Sequence, residues 1–442
     1  MNILLLSVPM DTTYERDAMK VMPPLGVYVL AGVLREHGYE VEVYDHEFLA
    51  DIYDGGWPED VIEELVYGMD LVGISSNSFN WGVSKQLIEK IKSLENPPYV
   101  FCGGVHPTFY YRHIMENTQA DAVIMGDGEE PIIGLVEGLE HHKDLSRVKN
   151  LIYRENGIVY YKPFEKYKEF IDYGEPAFDL IPKGVYYNMP VETSRGCYFH
   201  CAFCSILDSH NWRGLDAASS IKRIEKAGKL AGDISIYDSV YIADNCFTGS
   251  VERTTDIFDN IMFTGESYKI HFEARCTDVL KDNAKFVKSI NPERVNSVQI
   301  GIESGYDEGL KLLNKGLSTK QIRLCMDTLQ EIDVAKKAFL SFVIGLPWEG
   351  RDDCEKTIEF AHEMERKYGA MVGINWWLPL KSRLTDEGNK YGIVIPGEEY
   401  DNPTWVKNPK ILKQTYQNLS REDLIYLHSK YKDDLHFIVD VI

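Results

Sequence analysis

Residues 191–206 read VETSRGCYFHCAFCSI. An apolar, strand-like run from Val191 to Ser194 leads into a loop that carries Cys197, Cys201 and Cys204 in a CxxxCxxC spacing. Three thiols on one short loop can hold three irons of a cubane cluster and leave the fourth iron without a protein ligand. An open metal position suits catalysis, whereas a structural site is closed by a fourth protein ligand. Zinc is the rival occupant and would want that fourth Cys or His; His200 lies inside the loop, where its geometry is cramped. The chain has eight cysteines, and with no export signal their clustering points to metal rather than to disulfides.

Downstream of the loop, short apolar runs alternate with helical patterns. Strand-like runs fall at Val191 to Ser194, Val240 to Ala243, His271 to Ala274, Val298 to Ile302, Ala338 to Ile344 and Val372 to Trp376. They recur about every 30 residues, the length of a βα unit. The helix from Ser318 carries a capping box with Gln321 and an apolar stripe at Ile322, Cys325, Met326 and Leu329. Residues 191–378 are therefore expected to form a partial (βα)6 barrel, with its chemistry at the C-terminal ends of the strands. Residues 379–442 read as a helical C-terminal cap region. Its last helix is capped by Ser420 and Asp423 and should bury Leu424, Ile425, Leu427 and Tyr431, while Tyr391, Glu398, Glu399 and Tyr400 form only a polar stretch.

Upstream, residues 1–140 show the same alternation. Strand-like runs at Ile3 to Val8, Val41 to Tyr44, Leu71 to Ser75, Tyr99 to Cys102 and Ala122 to Met125 are separated by helical patterns such as Leu25 to Glu36 and Val83 to Leu94. This predicts an α/β domain with a doubly wound five-stranded parallel sheet, whose ligand sits beyond the C-terminal strand ends. Gly103, Gly104, Gly126 and Gly128 fall in those turns, where they let a ligand approach the backbone or simply serve tight turns. Residues 141–190 lose the alternation; they contain a β-hairpin around Asn156-Gly157 and otherwise read as a connector.

The 442-residue chain sets 69 acidic against 47 basic side chains, a net charge of −22. Nucleic-acid backbones and anionic membranes select for basic faces, so neither is expected as a partner and a small-molecule substrate is favoured. The longest apolar run, Val21 to Leu34, holds Pro23 and Pro24 and is too short to span a bilayer. The opening MNILLLSVPM lacks the basic flank of a signal peptide and reads as a buried first strand, which makes a cytoplasmic location the expectation.

CxxxCxxC after the first barrel strand, with aromatic Phe203 before the third cysteine, resembles the radical S-adenosylmethionine (SAM) superfamily. YIADNCFTG, HFEARCTDVL, VQIGIESGYDEGLKLLNKG and FLSFVIGLPWE resemble that superfamily's later strands. MPPLGVYVLAGVLREHGYEVEVYD through GDGEEP extends the likeness to the group bearing an N-terminal cobalamin-binding-type domain. The resemblance implies that Cys197, Cys201 and Cys204 ligate a 4Fe-4S cluster whose open iron is chelated by SAM. One electron, from an external donor such as a flavodoxin or ferredoxin, then cleaves SAM to methionine and a 5′-deoxyadenosyl radical, with cobalamin as a further cofactor. It also places Phe203 at or near the adenine, Glu303 at the ribose hydroxyls or ammonium, and Asp244 with Asn245 at the SAM amino group, unless that last pair is a plain turn. Glu273 and Arg275 share one strand face by period-two alternation, and the Arg fork suits the methionine carboxylate; the alternative is an ion pair between the two.

Cys246 and Cys276 also follow barrel strands, as hydrogen donors, methyl carriers or small buried hydrophobes. Cys102, Cys325 and Cys354 read as packing residues. Trp376 and Trp377 straddle the last strand, so one should face in and the other out. Many cobalamin domains supply a lower-axial histidine after the first strand; here that turn is PMDTTYE and has none, and His46 in YDHEF is wrongly spaced. His106 in GGVHPT is the one histidine at an expected ligand-facing strand end and a candidate for a cofactor or substrate role. Cobalamin-dependent methyl transfer to a carbon or phosphorus is the favoured activity. The alternatives are a cyclase, diol dehydratase or epimerase without methyl transfer, and a cluster-bearing electron carrier or binding protein.

Overall fold

The computed structural model describes residues 1–10, 20–53, 55–170, 172, 174–207, 209–392 and 418–431, with the backbone of a short strand at 435–436. Of the sequence features above, residues 11–15 of PMDTTYE and Glu398, Glu399 and Tyr400 lie outside the described residues. The chain divides into two compact units, with the boundary between Tyr187 and Asn188.

In the first unit the strands are β1 (Asn2–Ser7), β2 (Glu40–Tyr44), β3 (Leu71–Ser75), β4 (Tyr99–Gly103), β5 (Ala122–Ile124), β6 (Leu151–Glu155) and β7 (Ile158–Tyr160). They form one sheet in the order β2-β1-β3-β4-β5-β6-β7. The strands from β1 to β5 are parallel, as the alternation predicts. Ile3, Leu4, Leu5 and Leu6 are each at most 1% exposed, which is what a sheet covered on both faces requires. The order reverses beside β1, so the C-terminal ends of β1 and β3 flank a switch point.

The sheet has seven strands rather than five. The hairpin does turn at Asn156 (φ +50°) and Gly157 (φ +78°), but β6 pairs antiparallel with β5 and so extends the first sheet. Turn chemistry identifies a hairpin locally; it says nothing about which edge the hairpin joins.

The second unit holds β8 (Met189–Val191), β9 (Ser194–Arg195), β10 (Arg213–Gly214), β11 (Ser239–Ile242), β12 (Lys269–Ala274), β13 (Val295–Glu303), β14 (Ala338–Ile344), β15 (Met371–Trp376) and β16 (Leu435–His436). Six of these, β8 and β11 to β15, run parallel in chain order, and β16 adds a short parallel seventh beyond β15. Sequential order with helical crossovers makes a partial barrel. From Val298 to Ile302 in β13 and throughout β14 every second side chain, Val298, Ile300, Leu340 and Phe342 among them, is buried. The intervening Gln299, Gly301 and Ser341 are only half-buried and face the concave side, where the candidate site lies.

Three expectations need correction. The first barrel strand ends at Val191 rather than continuing to Ser194, because Thr193 and Ser194 are drawn out of the ladder by Asp244. Trp376 and Trp377 are both 3% exposed: alternation ceases where β15 ends, and Trp377 joins an apolar cluster with Ala202, Leu313, Leu346 and Leu384. In the helix Arg421–Lys430 the capping box of Ser420 and Asp423 forms, and Leu427 and Tyr431 are buried, but Leu424 is half-buried and Ile425 is 45% exposed. Among the described residues no helix is long and apolar enough to cross a membrane.

Candidate functional site

The cysteine loop is fixed at both ends and in the middle. Its base is closed by β9 against β10, and Cys197 bridges to Ser209. In the middle, Ala202 is fully buried in the Trp377 cluster, its N–H donating to the Leu313 carbonyl (2.9 Å) and its carbonyl accepting from Leu384 (3.0 Å). Asn314 adds a hydrogen bond to the His200 carbonyl at 2.8 Å.

So held, Cys197, Cys201 and Cys204 border one cavity, and all eight cysteines are unbridged. Phe203, Asn245, Glu273, Arg275 and Glu303 border it too, which brings together residues read from four separate strand ends. Asp244 does not line it; that carboxylate is 1% exposed and accepts from the Thr193 amide and from the Thr193 and Ser194 hydroxyls, each at 2.6 Å. Asn245 accepts from the Gly196 amide at 3.4 Å.

Arg275 lies with its guanidinium 3.5 Å from the centroid of the Phe199 ring, donates to the Lys315 carbonyl at 2.8 Å and points its other arm at the Cys201 sulfur, 3.7 Å away. Glu273 accepts from the Tyr241 hydroxyl at 3.4 Å, so it is bonded elsewhere than to Arg275. Burial pushes the Glu273 carboxyl up to about 7, and Asp244 and Glu303 add to the rise. The Cys246 thiol donates toward Cys197, and that bond, with the Phe199 amide and Arg275, holds Cys197 down at about 6 against burial. Burial raises Cys204 to about 11.

Glu303 ends β13 with φ +74°, where the pairing with β14 slips. A non-glycine residue held there costs about 1–3 kcal/mol, and such strain gathers at functional sites. Its carboxylate lies 3.4 Å from the Lys315 ammonium, and both residues are buried. Lys315, Phe199, Gln299 and Ser341 line the cavity without having been singled out from sequence. Alternation back from Glu303 would have reached Gln299; Lys315 lies in the LNKG stretch beyond the next helix and has no periodic signal.

The first unit's strand ends are different in kind. Gly104 opens the helix Val105–Asn117 at φ +98°, and a Cβ there would stand 2.5 Å from the Ser76 carbonyl. Gly126 has φ +70° and donates to the Thr108 hydroxyl at 2.9 Å. A Cβ at Gly103 would have nothing nearer than 3.6 Å, and one at Gly128 would meet the side chains of Leu30, at 3.2 Å, and Ile124, at 3.8 Å. His106 is 2% exposed, stacked on Trp81 at 5.0 Å, set against Tyr110 at 4.6 Å and bonded through Nδ1 to the Ser78 hydroxyl at 3.1 Å. His46 is also buried, edge-on to Tyr186.

A family model described as the radical SAM superfamily matches residues 191–361, over the strands and loop that build this cavity, and one described as the B12 binding domain matches residues 16–136. The chain is a radical SAM protein with an N-terminal B12-binding domain. An uncharacterized methyltransferase of Pyrococcus horikoshii is 28% identical over 94% of this chain and 92% of its own length. The cytidylyl-2-hydroxyethylphosphonate methyltransferase of Streptomyces wedmorensis is 24% identical over 83% and 76%. Among solved structures, the cobalamin-dependent SAM radical enzyme OxsB, with aqua-cobalamin bound, matches with a TM-score of 0.68 at 19% identity; it covers 99% of this chain, which spans only 62% of OxsB.

The donor set fits a cluster of the radical SAM kind. Among the described residues no three His, Cys, Asp or Glu side chains converge closely enough to hold a single metal ion. Three thiols spread round one cavity suit a cubane, in which each binds a different iron, and do not suit zinc. In the B12-binding domain neither His46 nor His106 is exposed, and the strand ends carry small residues.

Proposed function

We propose that the chain is a cobalamin-dependent radical SAM methyltransferase that moves a methyl group to an unactivated carbon or phosphorus of a small molecule. What supports this most is the union, in one chain, of a B12-binding domain with a cavity onto which three cysteines, Glu303 and Arg275 all open. Two relatives that match most of this chain are named methyltransferases, one of them acting on a phosphonate.

When bound, the cluster supplies the electron that cleaves SAM and cobalamin carries the methyl group. Cys197, Cys201 and Cys204 hold the cluster. Arg275 sets positive charge beside Cys201 at the cysteine end of the cavity, where it would attract a methionine carboxylate. Glu303, paired with Lys315, and Glu273 offer acceptors for the ammonium or ribose hydroxyls, and Phe203 offers an apolar wall to the adenine. Phe199, Phe203 and the buried barrel wall limit water and stray hydrogen donors around the radical. Reducing power comes from a separate donor protein.

Anaerobic reconstitution with iron, sulfide, hydroxocobalamin, SAM and reductant tests the reading. Methyl transfer predicts corrin absorption retained with the protein and both 5′-deoxyadenosine and S-adenosylhomocysteine as products. Deoxyadenosine alone, with no S-adenosylhomocysteine, would sink methyl transfer and leave a cyclase, dehydratase or epimerase.

A further inference from the structure

Two buried ionic side chains meet at Thr193, two residues beyond the end of β8. Asp244 is 1% exposed and Arg253 8% exposed, and neither lines the cavity. Both act on Thr193. Asp244 accepts the Thr193 amide with one oxygen and the Thr193 and Ser194 hydroxyls with the other, each at 2.6 Å. From the opposite side, the Arg253 guanidinium donates to the Thr193 carbonyl (3.0 Å) and to its hydroxyl oxygen (2.7 Å). It also donates to the Ser220 hydroxyl at 2.9 Å and the Leu215 carbonyl at 2.7 Å.

Thr193 therefore stands between a buried anion and a buried cation, its hydroxyl accepting from one and donating to the other. A desolvated carboxylate with three short charge-assisted bonds is a stiff anchor. Three residues separate Thr193 from Cys197, and one of them, Gly196, is itself bonded to Asn245. Whatever moves Thr193 moves the point at which the cysteine loop enters the cavity.

We propose that Asp244 and Arg253 are positioning residues of the cluster loop, acting through Thr193 and Ser194, and that Asp244 does not contact SAM. The proposal rests on the three cysteines holding a cluster, but not on methyl transfer or on cobalamin. It differs from the expectation that Asp244 meets the SAM amino group, which needs a carboxylate open to the cavity.

Asp244→Asn removes the charge opposite Arg253. It also puts an amide donor against two hydroxyls, one of which already accepts from Arg253. Removing both charges together, in D244N/R253Q, relieves the imbalance that either single change creates. The test reads the reduced cluster without SAM, by its EPR line shape and midpoint potential, alongside iron content and then deoxyadenosine formed per cluster. The expected result is an altered SAM-free spectrum and a fall in turnover of about 10-fold or more in Asp244→Asn and Arg253→Gln, the usual consequence of losing a residue that orients a metal ligand. The double variant should lose less than the product of the two single losses.

Thr193→Val should behave like Asp244→Asn, while Thr193→Ser, which keeps the hydroxyl, should stay near wild type; this pair reads the network even if Asp244→Asn does not fold. An unchanged SAM-free spectrum in Asp244→Asn and Thr193→Val, with a raised KM for SAM and no effect of Arg253→Gln, would overturn the proposal in favour of direct SAM contact. A wild-type protein that loads a cluster but makes no deoxyadenosine would defeat the functional reading, and the spectra would still decide this one.

Discussion

The two units use the same architecture, parallel strands with helical crossovers, yet their strand ends do different work. In the first, the singled-out residues are occupied by the fold: Gly104 and Gly126 satisfy positive φ, and His106 is clamped between Trp81 and Tyr110. In the second, thiols, carboxylates and cations from successive strands open onto one cavity, and Glu303 is held in a strained conformation to do so. A glycine at a strand end reports first on the backbone, whereas an ionisable side chain on the concave face reports on chemistry. Alternation tells the two cases apart only when the strand's end is known to within one residue.

The largest effect should separate the units completely. Cys201→Ala removes one of three cluster ligands, so iron content should fall sharply and deoxyadenosine formation should be lost, while corrin binding by the first unit persists. Iron and nucleoside assays beside a visible spectrum check this. Residual SAM cleavage at more than about 1% of wild type would mean that the cavity is not where the cluster sits, since catalytic metals depend on every protein ligand.

The next contrast lies inside the first unit. Gly104→Ala forces a Cβ to within 2.5 Å of the Ser76 carbonyl at φ +98°, whereas at Gly103 the nearest atom is 3.6 Å away. Gly104→Ala should cost about 3 kcal/mol or more and Gly103→Ala about 1 kcal/mol or less, read by thermal or urea unfolding. Equal stability for the two, with corrin binding lost in both, would show that these glycines serve a ligand and that the first unit's strand ends resemble the second's after all.

Much of this was legible in the sequence because it is local. Strand and helix periodicity located the five parallel strands of the first sheet and the six sequential strands of the second, and the CxxxCxxC spacing located the cluster loop. What escaped depended on contacts across the chain. Asn156-Gly157 announces a hairpin but not its pairing with β5. Asp244 follows a strand, as a ligand-binding residue should, yet Thr193 and Ser194 claim it from positions 51 and 50 residues away. Lys315 reaches the cavity from beyond a helix, and the inward or outward sense of Trp377 was lost once β15 had ended.

The smallest effect concerns Glu273 and is a matter of pH. Burial raises its carboxyl from the ordinary 4.5 to about 7, so the folded protein holds a proton there that the unfolded chain releases. Its contribution is therefore most favourable below about pH 4.5, falls as pH rises through about 7, and is flat above, a span of roughly 3 kcal/mol at most. Glu349, also raised to about 7 by burial, adds a similar slope that both proteins share. The difference between wild type and Glu273→Gln in urea unfolding should thus grow in the variant's favour between pH 4.5 and 7. A difference that stays constant over that window would mean that water reaches the carboxylate. Adding SAM sharpens the contrast with Glu303. A cation placed on Glu273 lowers its pKa, so by linkage SAM should bind more tightly as pH rises through the same window, and Glu273→Gln should abolish that dependence. SAM affinity that is flat with pH in the wild type would assign the ammonium to Glu303, whose carboxylate already faces Lys315.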